Sequence, residues 1–259
     1  MVSSKNQEVS YPEKVIVVCP NCSQKLRVPV NLGKLRVRCP KCKHDWFWSS
    51  NTNISNQIER IKEKIARARQ LHLAENKAYP EFYKNTRILT FQPPLSASEI
   101  DLWETKYNVF LPEEYRSFLE QIGNGGEFYD EILSLKRWAV GVDLDDKDQE
   151  LKTPSQPCLL LEKYESDEMW EQWLIENIGE DWAEKYYQSL WSPHLGMITI
   201  AAEQCGALTY LVLNGPLRGR ICWFLDYFSA PTFESAATFL DWFETLLDKD
   251  LNRLESRNH

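Results

Sequence analysis

No apolar run in the 259-residue chain approaches the ~18 residues a helix needs to cross a bilayer. The first twenty residues, MVSSKNQEVSYPEKVIVVCP, lack the apolar core and small-residue cleavage site of a secretory leader. Both absences lead us to expect a cytoplasmic protein whose thiols stay reduced and which makes no membrane contact. Signatures of chemistry are missing as well. There is no GxSxG, no HExxH and no kinase-type set of motifs. The glycines at Gly123, Gly125 and Gly126 follow an amphipathic stretch instead of opening one, so their amides are not aimed as a phosphate cradle. Cys205 and His194 are a conceivable nucleophile and base, but nothing in the sequence ties them together. Acidic residues are too abundant for any carboxylate pair to be informative. The expectation is a protein that is not an enzyme, with Cys158, Cys205 and Cys222 as small core residues.

What is present begins with the other four of the seven cysteines. Cys19-Pro-Asn-Cys22 and Cys39-Pro-Lys-Cys42 are two CxxC knuckles. Four thiolates at this spacing suit a closed, structural Zn²⁺ site with no position left for substrate. A segment this short cannot bury enough apolar surface alone, so the metal would supply folding free energy. Between the knuckles, Leu26, Val28 and Val30 alternate with Lys25 and Arg27. Past Asn31-Leu32-Gly33, Leu35 and Val37 alternate with Lys34, Arg36 and Arg38. This alternation predicts a hairpin with one apolar face and one face bearing Lys25, Arg27, Lys34, Arg36 and Arg38. That face suits nucleic-acid phosphates, or is simply a solvated edge that discourages aggregation. His44 could enter the metal shell but is expected to be exposed, and Trp46, Phe47 and Trp48 are expected to cap the apolar side.

Charge divides the chain. Residues 1–90 carry 17 Lys/Arg against 7 Asp/Glu, and residues 91–259 carry 13 against 31, a balance of +10 and then −18. A basic head on an acidic body implies different partners for the two halves, or attraction between them. Residues 51–95 read as a helical linker: Ile54, Ile58, Ile61, Ile65, Ala68 and His72 (or Leu71) form a narrow seam over 54–77. The seam either packs on the body or mediates self-association.

Residues 96–259 read as the main domain. Ser96-Ala-Ser-Glu99 is a capping box ahead of a helix with Ile100, Trp103 and Tyr107 on one face. In LPEEYRSFLEQIGNGG (111–126), Pro112 suits a first helical turn, and Glu113 and Glu114 complement the helix dipole. Tyr115, Phe118, Leu119 and Ile122 form one apolar stripe before the glycines stop the helix. Strand-like runs follow at 138–142, 195–202, 207–213 and 220–225, the last three at hairpin spacing. A final helix is expected over 232–254 with Phe233, Ala237, Leu240, Phe243, Leu246 and Leu247 on one side. Helices, then an antiparallel meander, then a closing helix make an α+β layout.

The stretch Leu-Pro, two acids, Tyr, then Phe-Leu and a Gly-Asn-Gly turn resembles the N-terminal signature of the SUKH superfamily, the Smi/Knr-type immunity and cell-wall-regulator proteins. The late strand Gly219–Leu225 and the Phe-rich terminal helix resemble that family's second half. The resemblance implies a protein-binding fold with no catalytic residues to carry over. Residues 143–191 depart from a minimal version and read as an insertion. It opens with Asp143, Asp145, Asp146, Asp148 and Glu150, and then sets Glu168 and other acids beside Trp170 and Trp173. Aromatic anchors ringed by acids suit a basic protein partner, whereas they would repel nucleic acid. The expected function is neutralisation of a toxin by an acidic, aromatic surface. The alternative is a regulator or adaptor whose zinc ribbon binds nucleic acid.

Overall fold

The computed structural model describes residues 14–29, 35–48, 51–78, 89–128, 130–137, 154–187, 195–202, 207–224, 229–236 and 238–256. The chain divides into two compact units, Met1–Ser55 and Asn56–His259.

In the first unit, β1 (Lys14–Val18) pairs antiparallel with β2 (Lys25–Pro29), and β3 (Leu35–Arg38) with β4 (Asp45–Trp48). The pairing corrects the expected hairpin. β2 and β3, which flank Asn31-Leu32-Gly33, belong to different two-stranded sheets. Each knuckle is instead the turn of its own hairpin, because the CxxC backbone doubles back on itself. The Cys19 N–H donates to the Gln24 carbonyl at 2.8 Å and Ser23 N–H to the Cys19 carbonyl at 2.9 Å. Cys39, His44 and Lys43 repeat the same bonds at 2.8 and 2.9 Å. Ser23 and Lys43 take matching left-handed conformations, φ 58° and 61°. The unit is a duplicated knuckle closed by a core of Val17, Val28 and Val37 with Leu26, Trp46 and Trp48 against it.

The second unit is α+β. Seven strands form an antiparallel meander in strict chain order: β5 (Thr90–Phe91), β6 (Gly126–Phe128), β7 (Asp130–Ile132), β8 (Met197–Ala202), β9 (Leu208–Val212), β10 (Ile221–Phe224) and β11 (Thr232–Phe233). Six α-helices lie among the described residues: α1 (Asn51–Ala78), α2 (Ala97–Tyr107), α3 (Glu113–Gln121), α4 (Asp167–Asn177), α5 (Trp182–Tyr187) and α6 (Phe239–Ser256). The three late strands fall within the strand-like runs 195–202, 207–213 and 220–225. The expected strand at 138–142 lies outside the described residues. The closing helix begins at Phe239, since Thr232 and Phe233 are taken up by β11 pairing with Trp223 and Cys222.

Local chemistry sets the helix ends. Ser96 caps α2 with a reciprocal capping box, its Oγ accepting from Glu99 N–H while the Glu99 carboxylate accepts from Ser96 N–H at 2.9 Å. Asn108 stops that helix in the left-handed region. Ser166 caps α4 by accepting from Met169 N–H.

Both faces of the sheet are covered, which is why β8 and β9 are buried almost without alternation. On one face Met197, Tyr210, Val212, Cys222 and Phe224 pack with Trp170, Trp173 and Leu174 of α4 and with Cys158 and Leu160 ahead of it. The rings of Trp170 and Trp173 stack at 5.1 Å. A separate aromatic cluster joins α3 to α6: Phe118 meets Phe239 at 5.0 Å and Phe243 at 4.9 Å, and Tyr115 meets Phe239 at 4.7 Å.

Helix α1 runs parallel to α6. Its pairs run in the same overall direction along both helices, from Gln57 on Asp241 and Glu244, through Lys64 on Asp248, to His72 on Asp250, Glu75 on Arg253 and Arg67 on Glu255. No helix among the described residues is long and apolar enough to cross a membrane.

Candidate metal centre and partner-binding surfaces

The sulfurs of Cys19, Cys22, Cys39 and Cys42 all lie within 4.8 Å of one another. Cys19 Sγ is 3.6 Å from Cys42 Sγ, and Cys22 Sγ is 3.6 Å from Cys39 Sγ. Metal–sulfur bonds of ~2.3 Å in a tetrahedron require an edge of about 3.8 Å, so the four sulfurs fit a single tetrahedral ion. The duplicated hairpins bring this about: each contributes a buried first cysteine and a half-buried second one.

The thiols' acidities show how a cation would be held. The His44 backbone amide, helped by the Asn21 side chain, holds Cys42 down at about 6. Cys22 receives similar help from Gln24 N–H, yet burial and the neighbouring sulfurs push it up to about 12. Burial raises Cys19. One thiolate forms readily and then opposes the rest; a dication removes that repulsion and releases the protons.

The cationic candidates come from two different sheets. Lys25 and Arg27 project from the outer side of β2, opposite Val18 and Ile16 of β1. Arg36 and Arg38 project from β3, where both approach Asp45, at 3.2 and 3.8 Å. Lys34 lies outside the described residues. The ring of His44 is half-buried and stacks on Trp46 at 5.9 Å, which leaves its Nε2 buried rather than in water.

The partner candidates separate by burial. Asp143, Asp145, Asp146, Asp148 and Glu150 lie outside the described residues, as do Cys205 and His194. Glu168 is exposed in the first turn of α4, where the Ser166 hydroxyl holds its pKa below the ordinary carboxyl value. Trp170 and Trp173 are 1% and 8% exposed. Their reading as surface anchors is therefore corrected. The face of the sheet that carries Tyr210 and Phe224 needs an apolar cover, and these two indoles supply it.

The residues of 111–126 act in positioning. Tyr115, Phe118 and Leu119 are buried, and Arg116 gathers Asp101, Glu104 and Glu120 at 2.7, 2.9 and 3.0 Å. Asn124 accepts the Leu135 N–H at 2.8 Å through its side chain. A Cβ on Gly126 would sit 2.0 Å from the Thr90 carbonyl, so only glycine lets β5 approach. Arg218 is a structural residue that pattern reading missed. Its guanidinium donates to the carbonyls of Phe110, Leu111 and Leu213, tying the start of this motif to the end of β9. No sequence signal marks it. The duplicated knuckle did carry one: Lys14–Cys22 and Lys34–Cys42 repeat at a spacing of 20 residues.

A family model described as the SMI1 / KNR4 family (SUKH-1) matches residues 94–245. No curated protein matches the chain.

Proposed function

Because the chain belongs to the SMI1 / KNR4 family (SUKH-1), commonly of immunity type and generally without enzymatic activity, we propose that it binds a protein partner and neutralises it by covering its active site. The observation that carries this reading is the balance of 13 Lys/Arg against 31 Asp/Glu in residues 91–259, the part of the chain that holds the family match. A toxin that cleaves nucleic acid must present a basic cleft, and an acidic surface facing that cleft would mimic phosphate and speed association. Asp143, Asp145, Asp146, Asp148, Glu150 and Glu168 would contribute to that surface. The protein works in the cytoplasm in this reading. The four cysteines hold Zn²⁺ in a structural role.

The test is co-expression with secreted-toxin genes adjacent in the native genome. Rescue of growth by the full chain, with a stable complex on gel filtration, is the expected result. Failure to rescue and the absence of any complex with such products would remove the proposal.

A second reading is favoured by the exposed side chains of Lys25, Arg27, Arg36 and Arg38. Here the ribbon contacts nucleic-acid phosphates and the acidic domain recruits a protein, as in a regulator. Titration of the full chain with duplex DNA and with RNA over a range of salt decides it. Affinity that falls with salt and is lost in a Lys25→Glu/Arg27→Glu variant supports the reading, whereas no affinity at low salt ends it.

A further inference from the structure

We propose that the strap Leu159–Leu161, with the first turn of α4, is the docking surface for a basic protein segment that also presents apolar side chains. The proposal rests on the reading of the chain as a protein-binding module and says where, and by what chemistry, that module engages its partner.

Three large apolar side chains lie in the open here: Leu159 at 49%, Leu161 at 41% and Met169 at 38% exposed. Leu159 and Leu161 are two residues apart in extended chain, so they share a side, while Cys158 and Leu160 between and before them point into the core. The strap is held in place by bonds that do not involve these side chains. The Cys158 N–H donates to the Asn214 carbonyl at 3.3 Å, and the Trp173 indole N–H to the Leu159 carbonyl at 3.2 Å. The Leu161 N–H donates to the Tyr164 hydroxyl at 3.0 Å, and the Tyr164 ring meets Trp170 at 5.0 Å. Met169 immediately precedes that tryptophan in α4. The buried indoles thus brace a fixed apolar surface from beneath, and a pre-formed surface loses little freedom on binding.

The rim specifies the partner's charge. Asp167, Glu168 and Glu171 of α4 are exposed, and no cation pairs with them among the described residues. Nearby, Lys163 is engaged by Glu165 and Arg220 by Glu162. Uncompensated negative charge on the helix that braces the exposed leucines disfavours a nucleic acid and suits Lys or Arg interspersed with apolar side chains. Phe110 and Leu102 are more exposed still, but the charged residues next to them along the chain, Asp101, Lys106 and Glu113, are of both signs and select no partner.

The test uses the full chain and two synthetic peptides of equal length and charge, one alternating Lys and Leu, the other Lys and Ser. Native protein should bind the Lys/Leu peptide about tenfold more tightly than the Lys/Ser peptide. Leu159→Ser/Leu161→Ser should erase that preference, and Asp167→Lys/Glu168→Lys should weaken both peptides and flatten their salt dependence. Leu159 and Leu161 are exposed, so thermal unfolding of the leucine pair should stay close to that of native protein; the acid pair, which complements the dipole of α4, should unfold at a somewhat lower temperature while keeping the native circular dichroism. Equal binding of the two peptides by native protein, or a preference that survives the leucine pair, would overturn the surface.

A partner arm separates the two levels of the argument. If native protein and the leucine-pair variant neutralise the same toxin equally, the docking surface is wrong and the function stands. If native protein neutralises none and forms no complex, the function falls and the surface falls with it.

Discussion

Trp170 shows how one residue's role turns on burial. Its indole closes the face of the sheet that carries Tyr210 and Phe224. Trp170→Ala should therefore lower stability by about 3–5 kcal/mol, measured by urea denaturation, because it opens a cavity that stacked Trp173 cannot fill. Glu168→Ala, two residues away and exposed, should leave the midpoint unmoved.

Glu244 offers a residue-level test by pH. Burial alone would raise its carboxyl, but hydrogen bonds from Arg60, Lys64 and Gln57 outweigh that and hold it below the ordinary range. A folded value below the unfolded one means the stabilisation is fully present above the unfolded value of ~4.3 and is lost as pH falls through the folded value. Glu244→Gln should cost about 1–2 kcal/mol at neutral pH. The gap between variant and native protein should close as denaturation curves are repeated at progressively lower pH below 4.3.

Among elements, the α1–α6 pairing depends most on its buried end. Asp250 is fully enclosed, accepts from His72 at 2.7 Å and from Arg253 at 3.2 Å, and Arg253 reaches Glu75 at 3.3 Å. Removing one member of a buried, hydrogen-bonded ion pair leaves the others desolvated. Asp250→Ala should destabilise the Asn56–His259 unit by about 3–5 kcal/mol in a urea titration. Arg67→Ala breaks only the exposed pair with Glu255 and should cost under about 1 kcal/mol. The same comparison explains why the seam of Ile54, Ile58, Ile61, Ile65 and Ala68 is buried within one chain. A narrow apolar stripe says that a partner exists, and the charged residues alongside it choose which one.

For the whole molecule, the division at Ser55 predicts two independent stability regimes. The ribbon core consists of three valines with Leu26, Trp46 and Trp48 against them, too little apolar surface to hold a fold without a metal ion in the four-cysteine cluster. Chelation of full-length protein, or Cys39→Ser, should abolish the NMR dispersion of residues 14–48 while the thermal unfolding of the larger unit stays put. Loss of both transitions together would contradict separate units. Metal analysis of protein from zinc-supplied cells should return one zinc per chain.

Much of this was legible without coordinates where the determinant is local. The spacing of Cys19, Cys22, Cys39 and Cys42 is legible as a cluster because two short knuckles suffice to bring four sulfurs within 4.8 Å, the reach of one metal ion. Ser96 and Glu99 announce a helix start because a capping box is satisfied within four residues. Tyr115, Phe118 and Leu119 are legible as a buried stripe because helical periodicity is intrinsic to the chain. The α+β order follows from such segments laid end to end.

Only the tertiary structure decided which strands pair, what α1 rests on, and which tryptophans are covered. Strands of two or three residues, such as Thr90–Phe91 and Asp130–Ile132, are too short to show a period and exist because neighbours offer them hydrogen bonds. Alternation made β2 and β3 look like one hairpin, yet each obeys the turn of its own knuckle. Leu159 and Leu161 carry no sequence mark that sets them apart from Leu160; a step of one residue separates core from surface, and the register is held by bonds to Asn214, Trp173 and Tyr164 that only the folded chain supplies. Amphipathic patterns record that a residue wants company, whereas the choice of company is a property of the packed whole.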